Sequence, residues 1–269
     1  MKQRSDEQQQ SERRKEIFEF ISKIDYSRQQ TEFISRRQEG TGKWLLESEE
    51  FLHWVKGSQQ SFLCPGIPGA GKTIMASMVV DILEKQFADD AGIGIAYIYC
   101  SYQTQQEQRP EDLLSSILRQ LIQRQAYIPQ QIDDLYDNCK SKNINRLAMK
   151  DIIANLGFAM QLYSKVYIVV DALDEYHATS HENTKELLSG LFALVDDHQG
   201  NIFATTRHVP EITALFYGAV KKEIRAQDED LYQYVNAQIP KLLRGTISAH
   251  ESDLKDTVRE QVVKAADGM

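Results

Sequence analysis

The stretch Gly66–Thr73, which reads GIPGAGKT, constrains the fold of this chain more than any other. It matches the pattern G-x-x-x-x-G-K-[ST] in full, and it stands between a short apolar run, SFLC, and a helix-like stretch, IMASMVVDILEKQF. Glycine lets the backbone turn so that successive N–H groups face inward, and a following helix adds about half a positive charge at its N-terminus. The octet therefore predicts an anion-binding loop between a buried strand and a helix.

The residue types of the octet fit a nucleotide's phosphate chain. Lys72 supplies an ammonium group for the β- and γ-phosphates, and the hydroxyl of Thr73 is a ligand for Mg²⁺. The backbone of the loop is expected to surround the phosphates. The residues predicted to contact nucleotide are Gly66, Ile67, Pro68, Gly69, Ala70, Gly71, Lys72 and Thr73.

A second element of a nucleotide site is an apolar strand that ends in a carboxylate. Residues 166–171, VYIVVD, have this form, and Asp171 at the carboxyl end of the strand is predicted to bind Mg²⁺ through its water shell. Two further acids follow in DALDE, Asp174 and Glu175, and one of them could orient or deprotonate the attacking water. The alternative is that each is an ordinary solvated carboxylate of a loop.

A third element, NIFATTR, places Arg207 after another predicted strand. If that strand lies beside the one that ends at Asp171, Arg207 would point at the γ-phosphate and sense its presence. The alternative is a surface arginine where a loop begins.

Apolar runs of strand type alternate with stretches of helical periodicity from about residue 61 to the end. The strand candidates are 61–64, 94–102, 166–170, 201–205 and 220–224, and two helices near 228–239 and 250–266 close the chain. This alternation predicts an α/β fold with a mostly parallel five-stranded sheet covered by helices on both faces. Ligands of such sheets bind at the carboxyl ends of the strands.

The composition indicates which classes of partner and which cellular compartment fit this chain. A net charge of −8 argues against nucleic acid as the main partner, because binding to phosphate backbones needs clustered lysine and arginine. The sequence shows neither a signal peptide nor an apolar window of about 20 residues, so a cytoplasmic protein without a membrane span is expected. The three cysteines fit no metal spacing and are expected to be reduced, and His177 and His181 lack a third metal ligand.

These three motifs occur together and in the same order as in the NACHT domain of the STAND class of P-loop NTPases, and the chain resembles that domain. The resemblance is to the module of fungal NOD-like receptors and to the nephrocystin-3-type N-terminal module. The segments that carry it are GTGKWLLESEEFLHWVKG, GIPGAGKT, RPEDLLSSILRQLI, VYIVVDALDE and NIFATTR. It implies a three-layer α/β/α fold and a nucleotide-driven switch in innate immunity or cell death. In such a switch, exchange of diphosphate for triphosphate rearranges the domains and drives self-association.

The resemblance also implies roles for individual residues. Asp174 and Glu175 correspond to the catalytic acids, and Arg207 corresponds to the sensor. Thr41 and Gly42 correspond to the segment near the nucleobase. Residues 1–16 have almost no apolar side chains and are predicted to be a polar disordered tail, and apolar residues at helical spacing predict a helical linker over 17–40. The resemblance implies the NACHT core over 41–225 and the start of a helical domain over 226–269.

Three functions remain open from the sequence. The first is a switch with slow Mg²⁺-dependent hydrolysis, the second is a turnover ATPase or kinase, and the third is a scaffold that retains nucleotide without hydrolysing it. The resemblance implies a winged-helix domain, sensor repeats and an effector as well, and the chain stops about where the helical domain would continue. The sequence contains no guanine-reading N-K-x-D tetrad, which favours ATP or ADP, with GTP possible.

Overall fold

The structure is a computed structural model, and it describes residues 2–102, 109–177, 180–242 and 261–262. Its centre is a sheet of five strands, all parallel, in the order β2-β3-β4-β1-β5. The strands are β1 (Gln60–Pro65), β2 (Ile93–Tyr99), β3 (Lys165–Asp171), β4 (Gly200–Thr206) and β5 (Val220–Lys221). The predicted α/β fold with a parallel five-stranded sheet is therefore confirmed.

Twelve helices surround the sheet in the described part of the chain. They are α1 (Lys2–Ile21), α2 (Ser27–Ser35), α3 (Lys43–Leu46), α4 (Glu49–Lys56), α5 (Lys72–Gln86), α6 (Pro110–Gln123), α7 (Gln130–Ser141), α8 (Met149–Gln161), α9 (Leu173–His177), α10 (His181–Asp197), α11 (Pro210–Leu215) and α12 (Asp228–Leu242). None of these helices is both long enough and apolar enough to cross a membrane.

Helices cover both faces of the sheet, which explains why the central strands β2, β3 and β4 are almost entirely buried. On one face, Trp54 of α4 and Phe87 at the end of α5 pack against Tyr167 of β3. On the other face, a side chain added at Gly94 of β2 or Gly200 of β4 would meet residues of α6, α8 and α10. The result is the predicted arrangement of three layers.

Helix α4 is attached to the sheet by specific hydrogen bonds as well as by packing. The side chain of Trp54 is fully buried, and its Nε1 donates to the carbonyl of Ile202 at 3.0 Å. Asn201 of β4 donates from Nδ2 to the carbonyls of Trp54 (2.5 Å) and Gly57 (2.8 Å). These contacts fix the chain that leads into β1 and therefore the start of the glycine-rich loop.

The N-terminal segment differs from its prediction as a disordered tail over 1–16, because α1 runs from Lys2 to Ile21. Polar contacts with the body of the protein account for the difference. Arg13 pairs with Asp133 and Asp137 of α7, each at 2.9 Å. Arg14 donates to the carbonyls at the end of α6 and just beyond it, namely those of Gln123, Gln125 and Ala126.

Two predicted strands differ in length from those in the structure. The strand predicted at 94–102 ends at Tyr99, and the strand predicted at 220–224 is two residues long. The helix near 228–239 is confirmed and extends to Leu242. The helix predicted near 250–266 lies outside the described residues except at 261–262, which are helical.

Candidate functional site

The octet forms a turn between the end of β1 and the start of α5, as the sequence predicts. Gly69 and Gly71 have φ values of +82° and +87°, a left-handed conformation that side chains disfavour. Gly66 has a different requirement, because a Cβ there would lie 2.4 Å from the carbonyl oxygen of Ile224. Three of the octet's positions therefore demand glycine for reasons of backbone geometry.

Lys72, the first residue of α5, turns its side chain back over the loop. Its Nζ donates to the carbonyls of Gly66 and Ile67, both at 2.9 Å. Partial burial lowers the pKa of Lys72, and the charges of Asp174 and Asp171 oppose that effect. The ammonium group thus stands at the loop, within the field of the acids that follow β3.

Asp171 and Thr73, the two predicted Mg²⁺ ligands, are brought together. Asp171 is 2% exposed, and its Oδ1 accepts a hydrogen bond of 2.6 Å from the hydroxyl of Thr205 on the neighbouring strand. Burial raises the pKa of Asp171 to about 6, against the lowering effects of hydrogen bonds from Thr205 and Thr73 and of the charge of Lys72. A carboxylate and a hydroxyl side by side are oxygen ligands of the kind that Mg²⁺ prefers.

The chain turns sharply directly after Asp171. Ala172 has a φ of +57°, which is uncommon for a residue with a side chain, and its N–H donates to the Thr205 hydroxyl at 2.9 Å. Thr205 therefore bridges Asp171 and the strained turn, a role that was not predicted from the sequence. The sequence signal for this role was the position of Thr205, because it places a hydroxyl group at the carboxyl end of a predicted strand.

Asp174 and Arg207 are paired with each other. Oδ1 of Asp174 accepts from the backbone N–H of Arg207 at 2.8 Å, and its Oδ2 lies 2.9 Å from Nε of the same arginine. The Asp174 side chain is 8% exposed, whereas that of Arg207 is 52% exposed. Strands β3 and β4 are neighbours, which is the condition that the sensor hypothesis for Arg207 required.

Glu175 lies in a different environment from Asp174. It lines an open cleft of about 490 Å³ together with Thr73, Asp171 and residues of α2. One of its carboxylate oxygens accepts a hydrogen bond of 3.2 Å from the backbone N–H of Tyr102. Of the two predicted acids, Glu175 is the one that lines the cleft beside the candidate metal ligands.

A second cavity, of about 350 Å³, adjoins the glycine-rich loop on the side of α12. Thr41 and Gly42, which the resemblance places near the nucleobase, both line it. The other lining residues include Gly69, Ala70, Gly71, Ile74, Met75 and Met78 from the loop and α5, and Asp230, Leu231 and Tyr234 from α12. No sequence pattern indicated the contribution of α12, which lies about 160 residues beyond the loop in sequence.

The histidines and cysteines of the chain complete the candidate groups, and of these Cys100 lines the cleft with Asp171 and Glu175. His177 and His181 stack with ring centroids 3.9 Å apart, and the described residues contain no cluster of three or more potential metal ligands. Cys64, Cys100 and Cys139 are buried free thiols, and burial raises the pKa of each.

Among solved structures, the chain is similar to the Walker-type ATPase paby2304 of Pyrococcus abyssi, with 13% identity and a TM-score of 0.54, over 88% of this chain and 67% of that one. It is also similar to the ORC1 protein of Aeropyrum pernix in complex with DNA, with 16% identity and a TM-score of 0.46, over 82% and 51%. A third match is the replication initiator DnaA bound to AMPPCP and single-stranded DNA, with 12% identity and a TM-score of 0.43.

The chain covers 62% of the length of that DnaA structure, and 86% of the chain is matched. The similarity to the Pyrococcus ATPase establishes the P-loop NTPase fold. No curated protein sequence matches the chain. The model of the family described as "Nephrocystin 3, N-terminal" matches residues 40–207, more than half of the chain. With this sequence match and this fold, the chain belongs to the nephrocystin 3 N-terminal family.

Proposed function

We propose that this chain is the nucleotide-binding switch module of a NOD-like, STAND-class signalling protein. The observation that carries the proposal is the convergence of Lys72, Thr73 and Asp171 at one loop whose glycines have the required backbone geometry. In this proposal residues 41–225 form the nucleotide-binding core, and 226–269 begin a helical domain.

The loop and its neighbours would bind the phosphates and the metal ion. Lys72 would exchange its two carbonyl partners for phosphate oxygens, while the backbone of Gly66–Thr73 would surround them. Thr73 and Asp171 supply the oxygens that would hold Mg²⁺ and its water shell. Bound Mg²⁺ would neutralise charge on the phosphates. Burial already holds Asp171 in place beside the hydroxyl of Thr205.

The two acids of DALDE would act differently in hydrolysis. Glu175 lines the cleft beside Thr73 and Asp171, so we assign it the task of orienting water and accepting its proton. Both oxygens of Asp174 contact Arg207, so Asp174 would set the position of that arginine. Because the Arg207 side chain is half exposed, it could leave Asp174 for a γ-phosphate and so report which nucleotide is bound.

We expect ATP and ADP to be the ligands, with GTP as the alternative, and slow hydrolysis to limit the lifetime of the triphosphate state. Self-association of the triphosphate form and a cytoplasmic location belong to the same proposal, as does the absence of nucleic acid among its main partners. The acidic net charge of −8 supports that last point.

Hydrolysis rates distinguish the switch from a turnover enzyme. Steady-state turnover of MgATP should fall below about 1 s⁻¹, near the low end of ordinary enzyme rates. We expect Glu175→Gln to lower that rate by at least about tenfold without changing ATP affinity, since the acid acts on water rather than on phosphate. Asp89→Asn, a change on the exposed surface, is the matched control. Sustained turnover well above 1 s⁻¹ would contradict the switch assignment, and full activity in Glu175→Gln would contradict the role given to Glu175.

A further inference from the structure

The carboxylate of Asp230 links helix α12 to the segment that precedes β1. Oδ2 of Asp230 accepts from the backbone N–H of Gly42 at 2.9 Å and from Nε1 of Trp44 at 3.2 Å. One turn further along α12, the side chain of Gln233 packs against Gly40, where an added Cβ would lie 2.4 Å from its Oε1. Residues nearly 190 positions apart in sequence are thus held in contact by Asp230.

These contacts form one wall of the cavity beside the glycine-rich loop. Gly42 packs closely on the cavity floor, because a Cβ there would lie 2.5 Å from Cε of Met78 and 3.0 Å from Sδ of Met75. Leu231 and Tyr234 of α12 line the same cavity. A mostly apolar slot of about 350 Å³ with a few polar groups suits a flat heterocycle such as a nucleobase.

The phosphate candidates lie elsewhere, at the octet and at Asp171. The hydrogen bonds of Asp230 run to residues 42 and 44, and none of the contacts described for Lys72, Thr73 or Asp171 involves α12. The loss of Asp230 should therefore loosen the base end of the site and leave the phosphate end as it is.

We infer that Asp230 is a positioning residue for the nucleobase, holding α12 against Gly42 and Trp44 so that the base cavity stays formed. This inference rests on the proposed nucleotide binding and adds to it a coupling between base occupancy and the position of α12. By linkage, a bound base should hold α12 in place, whereas a phosphate chain alone should not.

Two ligands test the inference, MgATP and inorganic triphosphate with Mg²⁺, each measured by isothermal titration. Wild type should bind both. Asp230→Ala should bind ATP about tenfold more weakly, as expected for the loss of hydrogen bonds to a charged acceptor, and triphosphate within about twofold of wild type. Asp230→Asn, which keeps an acceptor oxygen for the Gly42 N–H, should recover most of the ATP affinity. Glu229→Ala, an exposed neighbour on the same turn, should behave as wild type.

Trp44→Phe provides a milder variant that removes only the indole N–H, and it should show a smaller loss of the same selective kind. In wild type, ATP should slow amide hydrogen exchange over 228–242 and triphosphate should not, and Asp230→Ala should abolish that difference. Wild-type ATP affinity in Asp230→Ala, or an equal loss of both ligands, would overturn the inference and leave the proposed function standing. If wild type bound neither ligand, the proposed function would fail, and this inference with it.

Discussion

At the scale of single residues, Asp171 shows that the candidate site costs stability. Its pKa in the folded protein is about 6, above the ordinary value of 3.8, chiefly because the carboxyl group is buried. Between about pH 4 and pH 6 the folded state therefore binds more protons than the unfolded state, and stability falls as the pH rises through that window. The difference amounts to about 3 kcal/mol at neutral pH.

We therefore predict that Asp171→Asn stabilises the metal-free, nucleotide-free protein. The free energy of unfolding should rise by about 1–3 kcal/mol at pH 7.5 and by much less at pH 4.5, where Asp171 is already neutral. Urea unfolding in the presence of a chelator at the two pH values measures this. Asp89→Asn, at an exposed position, should change stability by less than about 0.5 kcal/mol. A gain of the same size at both pH values would show that burial of the charge is not the cause.

The sequence predicted the octet and Asp171 because their signals are local, a glycine pattern in one case and an apolar strand that ends in a carboxylate in the other. It did not predict the Thr205–Asp171 hydrogen bond or the pairing of Asp174 with Arg207. Both join residues more than 30 positions apart. Such pairs depend on the register of two neighbouring strands, which side-chain periodicity does not determine.

At the scale of elements, α1 is held to the rest of the protein by partners more than 100 positions away in sequence. Residues 1–16 of the chain are too polar to form a core, which is why the sequence predicts disorder there. Ile17, Phe18 and Ile21 at its end are buried, and Arg14 donates to three carbonyls at and beyond the carboxyl end of α6. A cation at that helix end is also favoured by the helix dipole.

Arg14→Ala should release the exposed part of α1 while leaving the core folded. We expect amide hydrogen exchange over residues 8–16 to accelerate by roughly tenfold, as follows from losing about 1–2 kcal/mol of charged hydrogen bonds at a partly exposed site. Hydrogen-exchange mass spectrometry measures this, with Lys15→Ala, an exposed neighbour, as the control. Unchanged protection of α1 in Arg14→Ala would mean that the buried apolar end alone holds the helix.

Among the elements, those with strong periodicity were predicted well, including α5, β3 and α12. The short β5 was predicted to be longer than it is, because VKKEI has β-branched ends but pairs with β1 at only two positions. The number of residues that pair depends on the path of the neighbouring strand, and the sequence of one strand does not determine that path.

At the scale of the whole molecule, strand order assembles the site. The alternation of strands and helices predicted a parallel sheet, but the order β2-β3-β4-β1-β5 follows from tertiary packing. That order puts β4 between β1 and β3, so that Thr205 and Arg207 lie at the same edge of the sheet as the glycine-rich loop and Asp171. It also explains why motifs separated by about 100 residues belong to one site.

The central claim is that the Gly66–Thr73 loop, with Lys72 as its cation, binds a nucleoside triphosphate and Mg²⁺. Isothermal titration of MgATP into the wild-type chain and into Lys72→Ala tests it most directly, with circular dichroism to show that both are folded. We predict saturable binding by wild type with about one nucleotide per chain, and a loss of at least about 100-fold in affinity in the variant, in line with removing a charge from a desolvated phosphate contact. Equal affinity in the two proteins, or a folded wild type that binds neither ATP nor GTP, would contradict the claim.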